Sequence, residues 1–518
     1  MKTFNKYIFL GLTLIAASSC SKKNLDKTVY GVTTSDNYYE TEEQIRNALT
    51  ECYYQVKGVP YNTLQTAHYF FGDISTDDAL KGGASEADYA DGQQIQNFTM
   101  TSTNAVAGFL WSSAYTLINR CNTVIENAPN ATGDKDLLTR YTNEAKFLRA
   151  WAYFNLVTAY GGVPLIVKNL EPDDILLPKS SPEEVFAQIY TDLTDATALP
   201  KRSEYPESEM GRVTSGAAWA LIGKSYMFQG DFPNAETAFS KVVTSGEYEL
   251  NSEYYMNFEN EFRNSKESVF EIQFQAIPGV YPAVGNQLLE FFSSRSTEGG
   301  WGFHIPSQDL WDAYDPDDPR LTYIFIRPGD KFAGDNHVQD NSISPNGYQD
   351  RKIFVKTDER NGYLNNVNKN WTVIRYADVL LMYAEALNEN GNSGAALPYL
   401  NDVRERARNS NPLDPKREIQ AYVPPTDPSV SLPDVTTTDK AELRKAIWKE
   451  RRLELGMEGH RRFDLLRQKR FGEVMRAYAT KYNVDKGKLF SDDRDYLLPI
   501  PSNEVTLSQG TIEQNPKY

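Results

Sequence analysis

The chain has 518 residues, 40% hydrophobic and 24% charged, an ordinary folded composition that excludes a disordered or fibrous protein. Its formal net charge of −16 repels polyanions over most of the surface and argues against a nucleic-acid backbone binder. Aromatic residues reach 12%, enough for both a core and a surface suited to flat ligands, with the core taking the larger share.

The N-terminus places the chain in the cell. Lys2 and Lys6 precede an apolar run from Tyr7 to Ala17, followed by Ser18, Ser19 and Cys20. A short basic region, an apolar stretch too short to span as a mature helix, and small residues before a cut site make an export signal over 1–19. It resembles a bacterial lipoprotein signal, in which Cys20 is acylated and becomes the new N-terminus. No other stretch approaches membrane-spanning length, so the expectation is a protein anchored to a membrane through lipid. Cys52 and Cys121 are too few for a disulfide framework and read as two buried thiols in helices.

Residues 20–40 lack periodicity and read as a tether. A helix begins near Thr41, with Ile45, Ala48, Leu49, Cys52 and Tyr53 on one face. Residues 72–105, rich in Gly, Asp, Ser, Thr and Asn, read as a long irregular working loop. Trp111, Tyr115, Ile118 and Val124 mark a helix ending at Pro129, and 140–160 form a further helix closed by Gly161 and Gly162. Ser181, Pro182, Glu183 and Glu184 carry a helix-start signature with proline just inside.

That helix leads into Trp219, Ile222, Gly223 and Tyr226, a turn at Gly230 and Asp231, then Ala235 and Phe239. The offsets are those of a tetratricopeptide (TPR) helix–turn–helix over 219–243. Small residues at Gly223 and Ala235 let two helices approach, while Trp219, Tyr226 and Phe239 fill the gap. Leu380, Tyr383, Ala384, Leu387, Gly391, Ala396 and Leu400 repeat the register, giving a second unit over 380–403. Between them the texture changes. Residues 269–274 alternate like a strand, and glycine, proline and aromatic residues dominate to Lys369. The expected fold is mainly α: a TPR-type helical scaffold over 41–266 and 370–518, packed as one body, with an irregular, loop-rich α+β lobe at 267–369. Residues 411–438, with six prolines, read as a surface excursion, and Asp439 to Arg470 as one strongly charged helix.

No enzyme signature survives inspection. Glu450, Glu454, Glu458 and Asp464 suggest an acid/base set, but Arg451, Arg461 and Arg462 stand at helical spacings and favour a salt-bridge network. The Asp315–Arg320 segment reads as a turn, four histidines show no metal spacing, and no glycine loop cradles phosphate. Neither metal nor cofactor is expected.

Several blocks of the chain, taken in order, match a known family. The chain resembles the SusD/RagB outer-membrane lipoproteins of Bacteroidetes-type bacteria nearly end to end. The resemblance rests on Cys20, on Glu144–Ala150 leading to Tyr160–Leu165, and on the TPR unit at Trp219. It continues with Arg375–Leu381, Ala384–Ala386, Leu400–Arg404, Glu450–Leu455 with Glu458–Asp464, Leu498–Pro501 and Gln514–Pro516. It implies a binding protein, not an enzyme, lying on the outer face of the outer membrane as a lid over a SusC-like TonB-dependent transporter. Such a protein captures oligosaccharides, or in some branches peptides, and delivers them to the barrel. After Cys20 this chain reads Ser-Lys-Lys-Asn, without the acidic residues that often mark surface export in these bacteria.

Sugar rings offer flat CH faces rimmed by hydroxyls, so they suit exposed aromatic rings beside Asn, Gln, Asp and Arg. Two loops hold that mixture. One carries Asp77, Asp78, Tyr89, Gln93, Asn97 and Phe98; the other carries Tyr281, Arg295, Trp301, Phe303 and His304. The resemblance implies the same two regions without assigning single residues. Trp301, after two glycines, reads equally as an exposed platform or as lobe core. The expected ligand is an oligosaccharide; the alternatives are a peptide, or an assembly-only TPR partner without a ligand of its own.

Overall fold

Apolar side chains at helical spacing build the first element, α1 (Glu42–Lys57), which buries Ile45, Leu49, Cys52 and Val56 while acids occupy its first turn and Lys57 its last. The computed structural model describes residues 38–57, 63–170, 176–279, 285–335, 337–360, 364–421 and 432–518. Cys20, the export signal and Tyr281 lie outside the described residues.

Beyond α2 (Leu64–Tyr69) and a π-turn at Phe70–Ile74, the segment expected to be irregular holds a strand, β1 (Ala79–Gly82), and a helix, α3 (Ala90–Asn97). Its order comes from polar anchors, described below, which leave no hydrophobic period. Two long helices follow, α4 (Ala105–Asn127) and α5 (Lys135–Tyr160), started by Asn104 and Asp134 caps. Helix α5 begins five residues before the expected start. It buries two charged residues in partnerships. Arg149 meets Asp192 of α6 (Pro182–Ala196) through two bonds of 2.8 and 2.7 Å, and Glu144 accepts from Tyr53 and Arg212. The capping box at Ser181 and Glu184 forms as the sequence indicates. Cys52 and Cys121 are free and buried.

The two TPR units are present as hairpins. The first pairs α7 (Ser215–Gln229) with α8 (Phe232–Val243). A Cβ added at Gly223 would lie 2.5 Å from the Phe239 ring, so only glycine permits this approach. Tyr226, expected between these helices, instead stacks on Tyr190 of α6 with centroids 4.3 Å apart.

From α8 the chain reaches β2 (Ser268–Ile272), passes α9 (Leu288–Phe292) and β3 (Phe303–Pro306), and returns through β4 (Trp371–Arg375). Strands β2 and β4 pair antiparallel, Ile272 opposite Trp371, so the intervening segment leaves and re-enters through one ribbon. Strand β4 runs directly into the second hairpin, α10 (Tyr376–Glu389) and α11 (Ser393–Asn409), and α10 packs on α8. Lys224 of α7 reaches Asp378 at 2.8 Å, and Asn390 reaches Glu236 at 2.5 Å. Two units far apart in the chain thus stack as neighbours. One apolar cluster joins Ile45, Tyr153, Phe239, Phe303 and Leu381, so the loop-rich segment shares the helical core.

The charged stretch expected as one helix is broken into α12 (Lys440–Leu455) and α13 (Arg461–Arg467), followed by α14 (Phe471–Tyr482). Its acids are ion-paired as expected, but mostly with arginines from other elements. Glu454 binds Arg320, Arg375 and Arg406; Glu450 binds Arg320 and Arg404; Glu458 binds Arg375 and Lys352. The break has a steric reason. Gly459, at φ +80°, lies against the π-turn, where a Cβ on Gly72 would fall 2.1 Å from the Gly459 oxygen.

Candidate functional site

The two loops singled out in the sequence are knitted together. Strands β1 and β3 pair antiparallel, Ala79 opposite Pro306 and Gly82 opposite Phe303. Gly83 N–H donates to the Gly302 oxygen at 2.8 Å, and a Cβ on Gly82 would sit 2.2 Å from that oxygen. Residues more than two hundred positions apart thus share one short ribbon.

Aromatic rings gather around it. Tyr89 is held at φ +57° before α3, 5.5 Å from Phe303 and 6.4 Å from Phe291 of α9. Trp301 lies 4.5 Å from Phe291 and 6.3 Å from Phe303 at right angles, and its backbone N–H donates to the Glu290 carbonyl at 2.7 Å. Phe291 and Phe303 are buried, whereas Tyr89 and Trp301 are half-buried and keep part of each ring toward solvent. Trp301 is therefore neither pure platform nor pure core: it packs on the cluster with the rest of its surface outward.

Polar groups frame the rings. Arg295 donates to Asp88 at 2.7 Å and to the Trp301 carbonyl at 3.3 Å, tying the second loop to the first. Asp88 also accepts from Ala84 N–H at 2.8 Å. Gln93 and Asn97 are half-buried on α3. Below them Lys81 is buried, and its ammonium donates to the carbonyls of Ser85 at 2.8 Å and Asp88 at 2.6 Å. The exposed 84–87 turn is wrapped over that cation.

Four nominated residues lie beneath the face instead of on it. Asp77 and Asp78 are 2% and 1% exposed. Arg461 grips Asp77 with bonds of 2.9 and 2.8 Å, and Arg452 meets Asp78 at 2.7 Å. Burial alone would raise the Asp77 pKa, but the two guanidiniums hold it well below the usual carboxylate range. Phe303 is fully packed. His304 is buried between Asp350, 3.0 Å from Nδ1, and Asp73, 2.9 Å from Nε2. Burial works against the imidazolium, yet the two carboxylates outweigh it and lift the pKa to about 9. Asp73 also accepts from Gly459 N–H at 2.8 Å, which is what the helix break provides. Phe98 sits in a separate cluster with Phe471 and Phe490. Asp88, Phe291 and Lys81 escaped sequence reading; only the Asp-rich loop beside a Gly-Gly pair hinted at Asp88.

This arrangement can stack on a flat CH face and hydrogen-bond to hydroxyls. Among the described residues no group of three His, Cys, Asp or Glu is placed to hold a metal ion. The carboxylates of α12 and the turn after it are engaged by buried arginines, which hold Glu454 and Glu458 ionised against burial.

The fold and this face define a helical-repeat scaffold whose exposed chemistry is stacking and hydrogen bonding. The profile of the SusD family matches residues 266–518, and a second, described as starch-binding associating with outer membrane, matches 23–227. The chain belongs to the SusD/RagB family. It is 24% identical to SusD-like protein P2 of Formosa agariphila over 99% of both chains. Among solved structures, a laminarin-binding SusD-like protein is 27% identical with a TM-score of 0.73, covering 93% of this chain and 100% of that one. Surface glycan-binding protein A from Bacteroides thetaiotaomicron, solved in complex with laminarihexaose, shares the fold at 24% identity and a TM-score of 0.72, covering 92% and 99%.

Proposed function

We propose that this protein is a surface lipoprotein that binds oligosaccharides at the face formed by Tyr89, Trp301, Arg295, Asp88, Gln93 and Asn97. In this reading it delivers them to a SusC-like TonB-dependent transporter in the outer membrane and does no chemistry on them. The observation that carries it is the β1–β3 ribbon, which holds two half-buried rings and an Arg–Asp pair on one side of the molecule. Rigid rings bind sugar with little loss of side-chain freedom, and pre-organisation by the ribbon lowers the cost further. The printed ligands of the related structures, laminarin and laminarihexaose, support glucans as the first class to try. The transporter partner, the anchor at Cys20 and the surface location rest on family membership, on the outer-membrane wording of the N-terminal match, and on the signal sequence.

The test is calorimetric titration of the purified protein with laminari-oligosaccharides, other glycans and peptides, with the mixtures checked for cleavage. Saturable glycan binding without products, weakened at least tenfold in Trp301→Ala, is the expected result. Binding to peptides alone, or any turnover, overturns it.

A further inference from the structure

An open cleft of about 650 Å³ lies between the C-terminal half of α1, the 208–212 loop and the chain running on from β2. It falls within the roughly 300–1,000 Å³ of small-molecule sites. None of its lining residues belongs to the aromatic face described above. Lys57, the last residue of α1, lines it. The ammonium stands 5.2 Å from the Phe274 ring and 5.9 Å from the ring of Tyr54, which is 44% exposed. The other charges of the cleft are committed. Glu209 accepts from Arg140 at 2.9 Å, Arg212 donates to Glu144 at 2.9 Å, Glu271 accepts from Asn370 at 2.7 Å, and Arg263 donates to the carbonyls of Asn260 at 3.1 Å and Asn368 at 3.4 Å. Among the described residues no carboxylate pairs with Lys57, and its partial burial lowers its pKa. Gln275 lines the cleft and is exposed, whereas the amide of the neighbouring Gln273 is tied to Asn264, Asn370 and the Glu271 carbonyl.

We propose that this cleft is a second binding site, for saccharides that carry a carboxylate on the ring. A ligand reaching Lys57 must lie along the flanking rings, so it needs a flat CH face with an anionic group at its edge. A uronate pyranose has that shape: its CH face covers Tyr54, its carboxylate meets the ammonium, and its hydroxyls face the Gln275 amide. The claim is independent of the Trp301 face, since the two residue sets do not overlap.

The experiment is titration of the purified protein with trigalacturonate and with its methyl ester, which keeps the ring and removes the charge. The acid is expected to bind at least tenfold more tightly than the ester. Lys57→Gln should abolish that difference, Tyr54→Ala should weaken both ligands about tenfold, and Trp301→Ala should change neither. Protection from amide exchange should appear at 50–57 and 271–276. Both cleft variants alter partly exposed side chains, and a native circular dichroism melt confirms their folding. Absence of binding, equal affinity for acid and ester, or loss in Trp301→Ala each overturns the proposal, whatever the outcome for neutral glycans.

Discussion

His304 offers the sharpest test of how the ligand face is supported. Its imidazolium bridges Asp73 on the π-turn and Asp350. Its pKa rises from the ordinary 6.5 to about 9 in the folded protein. Raised folded values stabilise below the unfolded pKa and lose that contribution as pH climbs through the folded one. At about 1.4 kcal/mol per pH unit, the contribution is roughly 3 kcal/mol, complete below pH 6.5 and gone above about pH 9. Lys369 and Lys486, which burial lowers to about 8 and about 7, act in the opposite sense, adding stability as pH rises toward 10.5. The difference between wild type and His304→Gln cancels them. The assay is urea unfolding followed by tryptophan fluorescence from pH 6 to 9.5. The wild-type advantage over the variant should shrink by about 3 kcal/mol across that range. An advantage that stays constant with pH refutes the charged imidazolium and leaves only a packing role. Because His304 follows Phe303, the variant should also weaken ligand at the Trp301 face.

Three stability predictions accompany it. Gly223→Val pushes a side chain into the Phe239 ring and should cost about 1–3 kcal/mol in urea midpoint terms, whereas Gly108→Ala, with open space around its Cβ, should gain about 0.5–1 kcal/mol. Arg375→Met strips one buried partner each from Glu267, Glu454 and Glu458 and should cost about 3–5 kcal/mol, read as loss of folded protein on a thermal melt. A melt within a degree of wild type refutes the network's role.

Much of the helical scaffold was legible in the sequence because its signals are local. A helix hairpin needs a small residue at each crossing and a large one to fill the gap, so Gly223 with Phe239 and Ala396 with Leu400 announce themselves within one short window. The cap at Ser181 is equally local. The charged stretch from Asp439 was misread because its break depends on the distant Gly72 and His68, which need the Gly459 backbone close to them. Tyr226 found Tyr190 for the same reason: a neighbouring helix supplied the better ring.

The composition of the ligand face was also visible, as two loops mixing rings with Asn, Gln, Asp and Arg. Which of those side chains turn outward was not. Aspartates 77 and 78 look like ligand groups until Arg452 and Arg461 arrive from the far end of the chain, and nothing local distinguishes them from Asp88. Most of the long helices, their pairing into repeats and the chemistry available to the loops follow from neighbours along the chain, which is why they can be read there. Which charges are buried and which rings remain open is set by the folded chain, because desolvation depends on segments hundreds of residues apart closing over the same atoms.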